Sequence, residues 1–312
     1  MIDVILLLGL PASGKSEIRR LMSVMTEKEK EELFHIGKTL DIDDFPYVFL
    51  MRRIDQELEK MGEKRIFYES DLKPFKDPRD WLTLTNLINE DYADLTQKRN
   101  LPQSASFVIQ RIEDSGKMAG ISPRLSNLTD KVLKSIENTI EKESKKLLND
   151  KYSNYGKNGT VIIEFSRGGS AGSKLPLDFP FGYQHSLSYL SEEILERAAI
   201  LYVWVSPEES RRKNLQRSNP DDPGSILHHG VPEEVMIKEY GTDDMIWLEE
   251  NSEKSGTVTV SKGKKKFYLP VANFDNRDDK TTFLRSSPQT WDKKQVEAIK
   301  LSLKSAFDRL TR

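Results

Sequence analysis

Apolar runs alternate along this chain with stretches that are apolar on one helical face only, and that alternation predicts an α/β protein with a largely parallel sheet. Residues 2–8 are apolar apart from Asp3 and predict a buried strand, followed by a helix from about Lys15 to Met25. Residues 39–42 predict a short strand ending in Asp43-Asp44-Phe45-Pro46, and the fixed φ of Pro46 suits the first turn of a helix. On that helix Leu50, Ile54 and Leu58 recur every four residues, the mark of a buried face. Residues 65–69 predict a further strand. Asp77-Pro78 opens a helix with Trp81, Leu84, Ile88, Tyr92 and Leu95 along one stripe.

Residues 98–130 are polar without a clear period and read as a surface excursion, after which Leu128, Val132, Ile136 and Ile140 define a Lys/Glu-rich helix. Together, residues 98–156 form a predicted helical insertion. Val161–Phe165 reads as a strand buried on both faces, running into a loop at Ser166–Lys174. A helix carrying Leu187, Leu190, Ile194 and Ala198 precedes a strand at Ile200–Val205. Ser206-Pro207-Glu208-Glu209 is a capping box with proline at the first helical position, so a helix starts there sharply. Residues 218–232, rich in Pro, Gly and His, predict a loop. Thr257–Val260 and Lys266–Val271 predict a hairpin. A last helix begins near Thr290 and buries Val296, Ile299, Leu303 and Phe307. No internal repeat is visible, and 312 residues suit one elaborated domain.

The chemistry begins where the first strand stops. Residues 9–16 read Gly-Leu-Pro-Ala-Ser-Gly-Lys-Ser, a G-x-x-x-x-G-K-S/T pattern set between a predicted buried strand and an amphipathic helix. In that setting the loop Gly9, Pro11, Ala12, Ser13, Gly14, Lys15 and Ser16 is expected to wrap a phosphate chain with inward-pointing amides. The helix adds its positive end, Lys15 neutralises the β/γ-phosphates, and the Ser16 hydroxyl holds Mg²⁺. The expected cofactors are therefore ATP and Mg²⁺.

Composition narrows the rest. The formal charge of −2 argues against a broad nucleic-acid face, and the absence of cysteine excludes disulfides, thiolate zinc sites and thiol nucleophiles. The apolar start is too short for a secretory signal, lacks a basic leader and carries Asp3. No run approaches the ~20 apolar residues of a membrane span. The expectation is a soluble cytoplasmic protein.

The order of parts resembles the P-loop kinases of the adenylate kinase and nucleoside (uridine) kinase group, in pieces covering about half the chain. The resemblance implies a three-layer P-loop NTPase fold, kinase-like, with 98–156 inserted and a lid-like segment at 211–250. Val161–Gly168 is similar to the stretch where such kinases place an acid beside Mg²⁺ and an arginine on a phosphate, which would assign Glu164 to the metal and Arg167 to an acidic group of the acceptor. Adenylate kinases set that acid four residues before the arginine, whereas Glu164 stands three before Arg167. A strand ending in Glu, as in uridine kinases, fits as well, so the spacing leaves the acceptor open. Arginines after the fourth strand of the group belong to a lid, which singles out Arg212 and Arg217. Asp-Asp-Phe after strand two resembles the uridine kinase segment that orients the acceptor hydroxyl, making Asp44 the candidate base and Asp43 the second choice. Either aspartate could instead cap the helix at Pro46.

The implied activity is transfer of the γ-phosphoryl of Mg·ATP to a hydroxyl or phosphate on a small molecule. Two alternatives stay open, an NTP-hydrolysing switch and a polynucleotide 5′-hydroxyl kinase. The guanine-reading N/T-K-x-D motif is absent, since Asn273-Phe274-Asp275 lacks the lysine. Lys262 and Lys264–Lys266 beside Phe267 and Tyr268 would suit nucleic acid, or a charged hairpin turn that discourages edge pairing. Phe274–Arg277 follows the expected last strand, where related kinases hold the adenine. His35, His185, His228 and His229 have no metal-ligand spacing. Gly168–Lys174 could form an anion-binding nest or a plain connector.

Overall fold

The computed structural model describes residues 1–150, 159–217 and 230–311. Along the chain, strand β1 (Val4–Leu8) leads through the glycine loop into helix α1 (Lys15–Val24), followed by α2 (Glu27–Phe34) and β2 (Thr39–Asp43). Four longer helices come next: α3 (Phe45–Lys60), α4 (Asp80–Gln97), α5 (Ala105–Met118) and α6 (Asp130–Asp150). Then follow β3 (Thr160–Phe165), α7 (Gly182–Tyr189), α8 (Glu192–Leu195), β4 (Ala198–Trp204) and α9 (Pro207–Arg217). The described chain closes with α10 (Glu233–Lys238), α11 (Met245–Glu250), β5 (Thr257–Lys262), β6 (Lys265–Asp275) and α12 (Lys293–Leu310).

The six strands form one sheet in the order β2-β3-β1-β4-β6-β5, parallel throughout except for the antiparallel β5–β6 edge. Val4, Leu6 and Leu8 point to one face, where Val161, Ile163, Ile200 and Tyr202 join residues of α4, α7 and α8. Ile5 and Leu7 point to the other, with Ile18 and Leu21 of α1, Phe34 of α2 and Leu303 and Phe307 of α12. Period-two alternation thus feeds both faces, and helices cover each. A third cluster lies beside the sheet, where Leu50, Ile54 and Leu58 of α3 meet Leu84, Val108, Ile136 and Ile140. Among the described residues no helix is long and apolar enough to cross a membrane.

Register then builds the site. Leu8 pairs with Phe165 on one side and Tyr202 on the other, so β1 and β3 end level while β4 runs two residues further. Asp43 pairs with Glu164 across β2–β3, which sets two carboxylates beside the loop leaving β1. This is the carboxyl edge of the sheet where the chain order reverses about β1, the place where open α/β sheets take ligands.

Several expectations are corrected. Residues 65–69 are not a strand, because the Asp55 carboxylate accepts the amides of Ile66, Phe67 and Tyr68 and leaves only the isolated Tyr68–Phe75 bridge. The excursion at 98–130 contains α5, capped by Ser104 and burying Val108 and Ile112. Helix α2 lies in a charged run that shows no apolar stripe, and Thr26 with Glu29 forms a full capping box at its start. The helix expected through Ala198 breaks in two, since Ser191 caps a new turn at Ile194 and Ala198 opens β4. Strand β6 runs through Phe274-Asp275 to pair with β4, well beyond the hairpin. The last helix starts at Lys293 under an Asp292 cap. The basic run is the hairpin turn, with Lys265 paired to Glu192 and Lys266 to Glu253. Residues 151–156 of the expected insertion and 218–229 of the expected lid, with His228 and His229, lie outside the described residues.

Candidate active site

The loop after β1 is forced into its path by close packing. Gly9 has φ 147°, and a Cβ there would stand 2.4 Å from the Val203 carbonyl oxygen. Gly14 has φ 111°, and its Cβ would meet Thr281 Oγ1 at 2.5 Å. Any larger residue at either position would have to displace the wall behind it. Three distant side chains pin the loop from outside. Gly9 N donates to Tyr183 Oη at 2.8 Å, Ser210 Oγ donates to Pro11 O at 2.6 Å, and Asn276 Nδ2 donates to Ser13 O at 2.6 Å. The amides of Ala12, Gly14 and Lys15 find no acceptor among the described residues, and the buried Ser13 Oγ has no partner. That is a concave set of donors at a helix start, the arrangement that takes an anion.

Lys15 folds back over this loop. Its ammonium donates to Gly9 O at 2.9 Å, Leu10 O at 3.0 Å and Ser166 Oγ at 2.8 Å. Only 4% of the residue is exposed, and among the described residues no carboxylate lies within ion-pair distance. Burial lowers its pKa, with Glu164 opposing from further off. A buried cation held by neutral oxygens is electrostatically incomplete until an anion arrives.

Beside it stand the carboxylates. Ser16 Oγ donates to Glu164 Oε1 at 3.2 Å, and Arg19 Nη1 ties Glu164 Oε2 at 2.7 Å to Asp43 Oδ2 at 2.8 Å. Asp43 Oδ1 accepts Phe45 N at 2.9 Å, so the capping bond at the start of α3 is made by Asp43. Asp44 occupies the N-cap position but makes no side-chain cap bond; its Oδ2 takes Arg167 Nη1 at 2.6 Å. Capping and availability thus fall on different aspartates.

These groups open on a cavity of about 520 Å³ that runs from Lys15 and Ser16 past Asp43, Asp44 and Glu164 to α3, α10 and the 68–81 segment. Arg217 lines it, with its Nε buried and without a hydrogen-bond partner among the described residues, and burial pushes its pKa down. Arg212 does not reach it. That side chain faces outward on α9 and pairs with Glu209 at 2.6 Å, the ordinary behaviour of a cationic helix face. Arg167 does not line the cavity either. It is 2% exposed and bonded to Asp44, Ser186, Ser166 O, Trp81 O and Thr85, which leaves it a strut rather than a grip on an acceptor. The Gly168–Gly169 loop is a packed connector, bridged to Thr242. Arg277 lies over the Trp204 ring at 3.9 Å, and Asn276 serves the glycine loop.

The loop anchors Tyr183, Ser210 and Asn276 and the carboxylate tie Arg19 carried no signal in the sequence. Their partners lie up to 263 positions away, beyond the reach of any local pattern.

Buried carboxyls give the fold a pH signature. Burial raises Asp43 to about 7, with Glu164 adding and Arg19 opposing; burial also lifts Glu239 to about 7 and Asp243 to about 6. In an unfolded chain such groups ionise near ~4. Between about pH 4 and 7 the folded protein therefore holds more protons than the unfolded chain, and stability falls as pH rises. Glu29, bonded to Lys300, and Asp275, bonded to Arg277, sit near 2 and act only in stronger acid. The expected result is a melting temperature several degrees lower at about pH 7.5 than at about pH 5, read by calorimetry at constant ionic strength without nucleotide. A melting temperature that climbs across that range would mean these carboxyls are ionised in the fold.

No family model matches this chain, and no match is found among the curated proteins.

Proposed function

We propose that the protein is a phosphotransferase that moves the γ-phosphoryl of Mg·ATP to a hydroxyl or phosphate of a small molecule. The observation that carries this reading is Lys15, a buried ammonium resting on neutral oxygens beneath loop amides that have no acceptor among the described residues, at the edge of a cavity walled by paired carboxylates. The donor set fits the expected cofactors. Free amides, Lys15 and the orphaned Ser13 Oγ suit a polyphosphate, and Ser16 with Glu164 suits a magnesium ion that takes its remaining ligands from phosphate and water. When bound, Mg·ATP supplies the transferable group and a metal that neutralises its charge.

The chain's own groups then divide the work. Lys15 and the loop amides fix the phosphates, with the loop itself braced by Tyr183, Ser210 and Asn276. Asp44 keeps Oδ1 without a hydrogen bond among the described residues, while Arg167 orients the carboxyl through Oδ2. It is the group to accept a proton from the acceptor hydroxyl, and its pKa, raised by burial against the pull of Arg167, favours that task. Asp43 is committed on both oxygens to Arg19 and Phe45 and serves to place Glu164. Arg217 faces the cavity and meets the charge that spreads over the transferring oxygens.

The test is incubation with γ-labelled ATP and a pool of nucleosides, nucleotides, sugars and 5′-hydroxyl oligonucleotides. Label in an acceptor is the expected result; label in inorganic phosphate alone would overturn the reading in favour of an ATPase. Arg217→Ala should lower kcat about tenfold with little change in the KM for ATP, and a pure KM effect would remove Arg217 from the transfer step.

A further inference from the structure

Asp43 and Glu164 are a costly pair to set side by side. Register places them opposite each other across β2–β3, where like charges repel, and Asp41 adds a third carboxylate two positions along the same face of β2. One cation answers all three. Arg19 follows Ser16 by three positions on α1, so both side chains leave one face of the helix and reach the two oxygens of the same Glu164 carboxylate. Nη1 of Arg19 donates to Glu164 Oε2 at 2.7 Å and to Asp43 Oδ2 at 2.8 Å, and Nη2 donates to Asp41 Oδ2 at 3.0 Å. Only 13% of the Arg19 side chain is exposed. A plain structural ion pair needs one carboxylate for one guanidinium. Here three share it, and two of them line the cavity with Arg19 standing behind them.

With Arg19 in place, Asp43 gives its two oxygens to Nη1 and to the Phe45 amide, and Glu164 gives its own to Nη1 and to Ser16 Oγ. Each carboxylate oxygen of this pair already has a donor. Magnesium sheds water reluctantly and is usually held by one or two carboxylates together with phosphate oxygens. A free ion reaching Ser16 and Glu164 is therefore short of ligands, and a polyphosphate brings the missing ones. Without the guanidinium the balance reverses. Asp43 Oδ2 and Glu164 Oε2 both lie within 2.8 Å of a single nitrogen, close enough to share one cation, and both side chains open on the cavity.

We propose that Arg19 is a positioning residue that fills the cation place between Asp43 and Glu164, so that a divalent ion is held only when it arrives on a polyphosphate. This role rests on the phosphotransfer reading for the polyphosphate and stands apart from it for the exclusion of free metal. Metal and nucleotide then enter as one unit, and no lone ion draws the two carboxylates together ahead of them.

Titration with Mn²⁺, which takes the same oxygen ligands and is followed by the loss of its free spin-resonance signal, tests this without turnover. In the absence of nucleotide, Arg19→Gln should bind Mn²⁺ at least about tenfold more tightly than the native protein, and only the variant's melting temperature should rise on adding the ion. Arg19→Lys keeps a charge and so guards against loss of the fold. An ammonium lacks the fork that serves three carboxylates, and the Mn²⁺ affinity of this variant should fall between the other two. Adding Asp43→Asn to Arg19→Gln should return binding to the native level. Equal Mn²⁺ affinity in the native protein and both variants would overturn the proposal, as would a gain that survives Asp43→Asn. A repeat with a non-hydrolysable ATP analogue separates the two claims. Tight Mn²⁺ binding to the native protein only with the analogue is the expected result. A variant that gains Mn²⁺ beside a native protein that binds none even with the analogue leaves Arg19 in the cation place and removes the phosphotransfer reading.

Discussion

Lys15→Ala should lower turnover by about 10²–10³ or more while leaving the fold intact. The ammonium contacts Gly9 O, Leu10 O and Ser166 Oγ and fills no apolar core, so its removal opens no cavity among the hydrophobic clusters. Lys15 and its acceptor Ser166 line the cavity, where water can take the place of the ammonium. The loss falls on charge neutralisation where the phosphate chain would lie. A desolvated cation is worth far more there than in water, which is why the effect on rate should dwarf the effect on stability. The measurement is a pair: steady-state turnover with the best acceptor, and a thermal melt. Turnover at the native rate in a folded Lys15→Ala protein would remove the loop from the mechanism.

Arg167→Ala is the second large effect, and it should appear in folding first. The guanidinium is buried between the Trp81 and Phe165 rings and bonds Asp44, Ser186, Thr85 and two carbonyls. Its loss strands the Asp44 carboxylate in a buried site and removes packing from two aromatic faces. Breaking a buried pair from one side costs about 3–5 kcal/mol, a fall in melting temperature on the order of 10 °C. Arg167→Met keeps volume but not charge and should lose most of the same stability. Pairing it with Asp44→Asn should restore a substantial part, because the stranded charge goes with it. A double variant no more stable than Arg167→Met would show that Asp44 is not what Arg167 compensates.

The central strands β1 and β3 were legible because they bury every position. Val4–Leu8 and Thr160–Phe165 read as apolar runs, and turn residues bound each of them. The glycine loop was legible for a related reason, since Gly9, Gly14 and Lys15 must stand at fixed spacing for their backbone and charge to act together. What stayed hidden depends on contacts made by tertiary structure. Residues 65–69 have strand composition, yet the buried Asp55 carboxylate captures their amides from a helix above. In α5 the buried positions include Arg111, Glu113 and Ser115 beside Val108 and Ile112, so the buried face does not read as an apolar stripe. The arginines illustrate the same limit at the site. Arg212 and Arg217 lie on one helix, and only packing separates the one that pairs with Glu209 from the one that faces the cavity. Arg167 has the composition of a ligand-gripping residue and the surroundings of a tie beam.

Asn276 holds the Ser13 carbonyl across almost the whole length of the chain. During synthesis the loop leaves the ribosome well before the clamp that shapes it, which follows 263 positions later. A nascent chain halted short of that asparagine carries the complete glycine motif and only the braces from Tyr183 and Ser210. If the loop holds a polyphosphate as proposed, a product truncated before Asn276 should bind ATP more weakly than the full chain.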